Sequence, residues 1–194
     1  RPSAASAEQP ARRRLDVAII GVSGQFPGAH DVHELWQNLT RRVDCTRDVS
    51  DIRLPRALRD RGTRLHGGVL EERECFDPLF FRIAPKEAQA MNLSQRLVLQ
   101  EGWKALEDAG YAPEMLRGAA CGVYIGSEPT GFIADSFTGA SEAIVASRLS
   151  YALDLSGPAL VVNTGCSSSA VAIHLACEAL RRGEIDLAIA GGVS

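Results

Sequence analysis

The sequence predicts an α/β layered domain, and three observations predict it. Apolar runs of strand length, at Val17 to Gly21, Cys121 to Gly126, Ala159 to Val162 and Leu187 to Ala190, alternate with stretches whose apolar residues recur at helical spacing. Glycine and capping residues stand where one pattern gives way to the other, as at Asp31, Gly110 and Gly183. With 45% apolar and 23% charged residues in 194, the chain has the composition of a globular domain with material enough for a real core.

Residues 1–14 combine Pro2, Ser3, Ser6 and Pro10 with several alanines and Arg12-Arg13-Arg14. That composition reads as a solvated linker, so the folded domain is expected over 15–194. Val17 to Gly21 opens it as a strand, after which Gly24, Pro27 and Gly28 turn the chain. Asp31 caps a helix that runs to Arg42, with Leu35, Trp36 and Leu39 on its inner face. Asp44 to Gly68 is charged and irregular and is expected at the surface. Ala84 to Met91 predicts a short helix and Ser94 to Ala109 a longer one, with Leu99, Trp103 and Leu106 inward and Gly110 as its stop. Beyond the strand at Cys121 to Gly126, Ser141 to Tyr151 predicts a helix and Ala159 to Val162 a strand. Ser167 to Arg182 then predicts a helix that Gly183 stops before the last strand.

Composition also excludes several classes of function. A formal net charge of -3 leaves no basic surplus for nucleic acid or an anionic membrane. No run approaches the roughly 18 apolar residues of a membrane span, and Asp16 interrupts the short apolar run behind the arginines, against a signal peptide. The five cysteines, at 45, 75, 121, 166 and 177, show neither zinc spacing nor the framework of a small secreted domain, so a reducing cytoplasm is the expected compartment. Gly21, Gly24 and Gly28 do not make Gly-x-Gly-x-x-Gly, and Gly21-Val22-Ser23-Gly24 is not Gly-x-Ser-x-Gly, so neither a dinucleotide site nor a serine hydrolase is supported.

The stretch that carries chemistry runs from Ala159 through Asn163-Thr164-Gly165-Cys166-Ser167-Ser168-Ser169 to Ile173. A buried strand enters a Gly-Cys turn and passes straight into a helix of small and apolar residues, which is a nucleophile elbow. The start of a helix presents free N–H groups and the positive end of its dipole, a setting that favours an anionic group and can hold the oxyanion of a thioester addition intermediate. Gly165 permits the sharp turn. Cys166 is therefore the candidate nucleophile, and the other four cysteines read as structural; Cys177 lies about 16 Å further along the same helix. No imidazole is placed to assist. His174 lies about 12 Å along the helix axis from Cys166, His30 and His33 stand at a loop-helix junction, and His66 lies in a charged loop.

Further motifs follow one another in a fixed order. Val17-Ala18-Ile19-Ile20-Gly21 with Phe26-Pro27-Gly28-Ala29, Leu35-Trp36, Gly67-Gly68, Phe76-Asp77, Phe80-Phe81 and Pro85-Lys86-Glu87-Ala88 come first. Gln95-Arg96-Leu97, Ala105-Leu106-Glu107-Asp108-Ala109-Gly110-Tyr111, Arg148-Leu149-Ser150-Tyr151, Gly157-Pro158, the Cys166 elbow and Ala190-Gly191-Gly192-Val193 complete the series. In that order they resemble the ketosynthase (β-ketoacyl synthase) domain of modular polyketide synthases.

The resemblance implies a thiolase-like layered fold, of which this chain is the N-terminal half. It also implies that Cys166 accepts an acyl group from the phosphopantetheine arm of an acyl carrier protein, and that this group is condensed with a malonyl-carrier extender with loss of carbon dioxide. No cofactor is implied for the domain itself. The family's two catalytic histidines belong to a second half beyond Ser194, so a complementary ketosynthase half is an implied partner, as is a second copy paired through Ala159 to Val162. Asn163-Thr164-Gly165 stands where the family usually has Asp-Thr-Ala, Ala170 where leucine is common, and Asn92-Leu93-Ser94 where Asp-Pro-Gln is usual. The loop between Gly126 and Arg148 is short. These departures resemble a divergent member, from an assembly line with a separate acyltransferase. The competing reading is a non-catalytic half-domain acting in docking or assembly, with Cys166 a remnant.

Overall fold

The run Cys121–Ser127 is buried along its whole length, as befits a strand covered on both faces. The computed structural model describes residues 16–49, 66–71, 74–131 and 136–194. The linker expected over 1–14, and residues 50–65 of the segment expected to be irregular, lie outside them. In chain order the elements are α1 (Val32–Arg41), β1 (Arg47–Asp48), β2 (His66–Gly67), α2 (Pro85–Gln89) and α3 (Leu93–Asp108). A 3-10 turn (Pro113–Leu116) leads to β3 (Cys121–Ser127), α4 (Phe137–Ala140), α5 (Ile144–Ala152), β4 (Ala159–Val162), α6 (Ser168–Arg182) and β5 (Leu187–Val193).

Strands β4, β3 and β5 form a parallel sheet in that order, with Ile125 opposite Val161 on one side and Gly191 on the other. Side chains alternate between the two faces of a strand, and β3 divides two cores accordingly. Val123 and Ile125 join Met91, Leu99 and Leu106 from the α3 side and Val145 and Leu149 from α5. Tyr124 joins Ala172, Ala176 and Ala179 of α6, together with Ile185. The result is three layers: α3 and α5, the sheet, and α6. The spacing of the three alanines puts a small-residue face of α6 against the sheet, so this helix can approach β3 closely. A smaller antiparallel pair, β1 with β2, falls inside the segment expected to be irregular.

Asn92 caps α3, its side chain accepting from the Ser94 N–H at 3.1 Å, and its amide donates to Thr130 Oγ1 at 2.8 Å. Nearby, the fully buried Gln95 amide donates to the carbonyls of Thr138 (2.9 Å), Gly139 (3.1 Å) and Ser141 (3.1 Å). The single helix expected over Ser141 to Tyr151 is present but starts three residues later, and a separate short helix precedes it. A short α4 ends at Ala140, and α5 starts at Ile144.

Two further expectations are corrected. Val17 to Gly21 does not form a strand; it has no ladder partner among the described residues, and Ile19 is 85% exposed. The chain instead runs along α3, with the Val22 N–H on Asp108 Oδ2 at 2.8 Å and the Gln25 amide on Glu101 Oε1 at 2.7 Å. Helix α1 forms where expected, capped by Asp31, which accepts from the Glu34 N–H at 2.7 Å. Trp36 and Leu39, however, do not face inward: they are 65% and 61% exposed. Local capping makes this helix, and of its apolar stripe only Leu35 is half-buried.

Candidate active site at the Cys166 elbow

Because β3, β4 and β5 are parallel, their carboxyl ends gather at one edge, where open α/β sheets place their ligands. Gly126 lies opposite Val162 on one side and Gly192 on the other, and the turn carrying Cys166 leaves β4 just beyond. Gly165 holds φ at +65°, a conformation that residues with a Cβ rarely adopt.

Four side chains hold the turn. Asn163 Oδ1 accepts from the Gly165 N–H at 3.1 Å. Ser167 Oγ donates to the Thr164 carbonyl at 2.9 Å and lies 2.9 Å from Thr164 Oγ1. Ser168 Oγ accepts from the Thr164 N–H at 2.9 Å and donates to the Gly165 carbonyl at 2.6 Å. Cys166 is exposed and stands immediately before Ser167, the N-cap of α6. The strand-turn-helix geometry read from the sequence is therefore present.

The start of α6 is seated against the sheet at two glycines. A Cβ on Gly126 would fall 2.4 Å from Ser168 C and Ser169 N, and one on Gly192 would fall 2.6 Å from Ser169 Cβ. Neither position has room for a side chain, and the helix occupies that space.

Cys75 is exposed like Cys166, so exposure does not single out the candidate; position does. Cys45 and Cys177 are half-buried. Cys121 is buried in β3, and desolvation pushes its thiol up to about 11, partly opposed by a backbone hydrogen bond at Ile189. A thiol so disposed is a poor nucleophile near neutrality.

All four histidines are exposed, and no hydrogen bond ties any of them to the elbow among the described residues. The structure does add Glu128, absent from the sequence reading. Its Oε1 would lie 3.9 Å from a Cβ on Gly165, which puts a carboxylate beside the turn. The signal that could have found it is its place directly after a strand parallel to β4. Among the described residues no group of histidine, cysteine and carboxylate side chains could hold a metal, and no helix is long and apolar enough to cross a membrane.

A parallel sheet with helices on both faces and a cysteine elbow at its carboxyl edge is the architecture of a thiolase-like domain. The chain belongs to the β-ketoacyl synthase family: residues 14–194 match the model described as beta-ketoacyl synthase, N-terminal domain. It is 45% identical over 187 residues to polyketide synthase PksM and 44% identical over 193 residues to polyketide synthase PksL, both of Bacillus subtilis, with 92% of this chain and 4% of each relative covered. Among solved structures it resembles the ketosynthase from module 6 of the bacillaene synthase of Bacillus subtilis 168, with 44% identity, a TM-score of 0.78, and 91% of this chain and 31% of that one covered. The oxazolomycin ketosynthase domain OzmH KS7 from Streptomyces albus JA3453 gives 35% identity and a TM-score of 0.79, over 91% of this chain and 34% of that one. The chain thus spans about a third of the solved ketosynthase structures and a small fraction of the curated synthases. Both the family and the thiolase-like fold are those that the motif series resembles.

Proposed function

We propose that this chain supplies the acyl-accepting cysteine of a polyketide ketosynthase. Cys166 Sγ attacks the thioester carbonyl of an acyl group carried on the phosphopantetheine arm of an acyl carrier protein. The tetrahedral intermediate collapses with release of the carrier thiol, which takes up the proton lost by Cys166, and the acyl group remains on Sγ. Backbone N–H groups at the start of α6 oppose the negative charge that develops on the carbonyl oxygen.

In the second stage a malonyl-carrier extender loses carbon dioxide, and its α-carbon attacks the acyl-Cys166 carbonyl, forming the new carbon–carbon bond and freeing Sγ. The described residues offer no imidazole at the elbow for that stage, so a complementary ketosynthase half completes the site. On this reading 15–194 is the N-terminal half of the domain, and no cofactor sits in it. A second copy pairs along β4, and the similarity to PksM and PksL agrees with an assembly line whose acyltransferase is separate.

The observation that carries this reading is the exposed Cys166 in a turn held by four side chains, one residue ahead of the α6 cap. The test incubates the full-length polypeptide that carries this chain with an acyl-loaded carrier protein and maps the acylated peptide by mass spectrometry. Acyl mass on the peptide holding Cys166, lost in Cys166→Ala, is the expected result. An unmodified Cys166 in a folded, carrier-bound protein would favour the docking reading instead.

A further inference from the structure

Ser168 is 6% exposed, yet its hydroxyl is fully engaged. A hydroxyl has one proton to give and lone pairs to receive. Here the proton goes to the Gly165 carbonyl at 2.6 Å, and a lone pair takes the Thr164 N–H at 2.9 Å. The Ser168 backbone N–H reaches the same Gly165 carbonyl at 3.0 Å.

Gly165 C=O and Cys166 N–H belong to one peptide group, which is planar and trans. Fixing the carbonyl therefore fixes the plane from which the Cys166 Cα, and with it Sγ, departs, and it directs the Cys166 N–H to the opposite side. Gly165, at φ +65° and without a Cβ, restrains that plane little by itself, so its orientation depends on the two Ser168 bonds to its carbonyl, of which the hydroxyl's is the shorter. The anchor for the hydroxyl is itself held, because the Ser168 backbone sits in the space left by Gly126. A mechanical chain thus runs from β3, through Ser168, to the peptide that carries the nucleophile. Ser167 differs. It is exposed, and its hydroxyl reaches Thr164 but not the Gly165–Cys166 peptide.

We infer that Ser168 is a positioning residue for Cys166: its buried hydroxyl sets the orientation of the Gly165–Cys166 peptide and so the aim of the acyl-accepting sulfur. This rests on the acyl-acceptor reading of Cys166.

The test compares Ser168→Ala, Ser168→Thr and Ser167→Ala in the full-length polypeptide. One readout is single-turnover acylation by an acyl-carrier protein over a range of carrier concentrations. The other is amide exchange of the peptide spanning 163–168, followed by mass spectrometry. Ser168→Ala is expected to lower the maximum acylation rate by about 10- to 100-fold, as a small misplacement of a reacting group does, with the half-saturating carrier concentration unchanged. It is expected to speed exchange in 163–168 while β3 and α3 exchange as before. Ser168→Thr, which keeps the hydroxyl, should restore most of the rate, and Ser167→Ala should lose less than Ser168→Ala. Unchanged exchange in Ser168→Ala would remove the latch whatever the activity. An equal loss in Ser167→Ala, or exchange that rises throughout the chain, would reduce Ser168 to an ordinary structural residue. A wild-type protein whose Cys166 takes no acyl group would refute the acyl-acceptor reading itself, and the two failures are told apart by exchange, which needs no carrier.

Discussion

Replacing Gly126 with alanine tests whether the seat of α6 governs the elbow. The new methyl would stand 2.4 Å from Ser168 C and Ser169 N and 2.7 Å from Ser168 O, all of them backbone atoms that no rotamer change can move aside. Ordinary contact begins at 3.4 Å, so the start of α6 has to withdraw by roughly 1 Å. Overpacking of this kind costs about 1–3 kcal/mol, a fall in Tm of roughly 2–12 °C for a domain of this size. Because Cys166 lies two residues before Ser168, the same displacement carries it out of line, and a shift near 1 Å can cost on the order of 100-fold in rate. Thermal melts and single-turnover acylation of the full-length polypeptide measure the two effects. Gly67→Ala is the control, since a Cβ there meets only Val49 Cγ1, at 3.9 Å. A Gly126→Ala protein that melts and acylates like the wild type, or a Gly67→Ala protein equally impaired, would refute the reasoning.

With limiting iodoacetamide, Cys166 is expected to label before the other four cysteines and Cys121 last, as peptide mapping would show; faster labelling of Cys45 or Cys121 in the folded protein contradicts the assignment. Cys121 also predicts a stability slope in base. Its folded thiol is raised to about 11 by burial, so the unfolded chain loses that proton first, and the stabilisation, complete below the unfolded value near 9, is lost as pH climbs toward 11. The loss is roughly 2 kcal/mol by urea titration, and Cys121→Ala should abolish it. The described residues leave one edge of β4 without a strand partner, and Leu160 on β4 is 46% exposed. Leu160→Lys is therefore expected to weaken a homodimer in sedimentation, because a charged edge discourages pairing; a monomeric wild type at micromolar concentration counts against the pairing. Finally, the 194-residue chain alone, mixed with acyl- and malonyl-carrier proteins, should yield no β-ketoacyl product by mass spectrometry, since no imidazole attends the elbow; product formed unaided would overturn the two-half reading.

The elements legible in the sequence were those whose neighbours are local or whose pattern is dense. Strands β3 and β4 and the helix α6 with its Gly183 stop stand where their apolar runs and stop residue place them, and β5 continues to Val193, past the expected Ala190. Val17 to Gly21 was misread because a period of apolar residues states only what can be buried. Whether a ladder forms depends on a neighbour that the run does not encode. Trp36 and Leu39 fail for the same reason, since helical spacing defines a stripe and not what covers it. At the site, the Gly-Cys turn announced the elbow, but the Ser168 latch and the nearby Glu128 did not announce themselves. The first hides among three identical serines, and the second comes near Gly165 only through the parallel register of β3 and β4.

The Gln95 tether has a consequence for how this region can vary. Thr130 is bound by Asn92, and residues 138–141 are bound by Gln95, so both ends of the intervening segment are moored to the first turn of α3. Its endpoints are fixed by that helix and not by its own sequence. Substitution is therefore tolerated least at Gln95, whose exchange would remove three of these bonds at once and leave the Asn92 N–H on the Gly139 carbonyl, at 2.9 Å, to hold α4 to the start of α3.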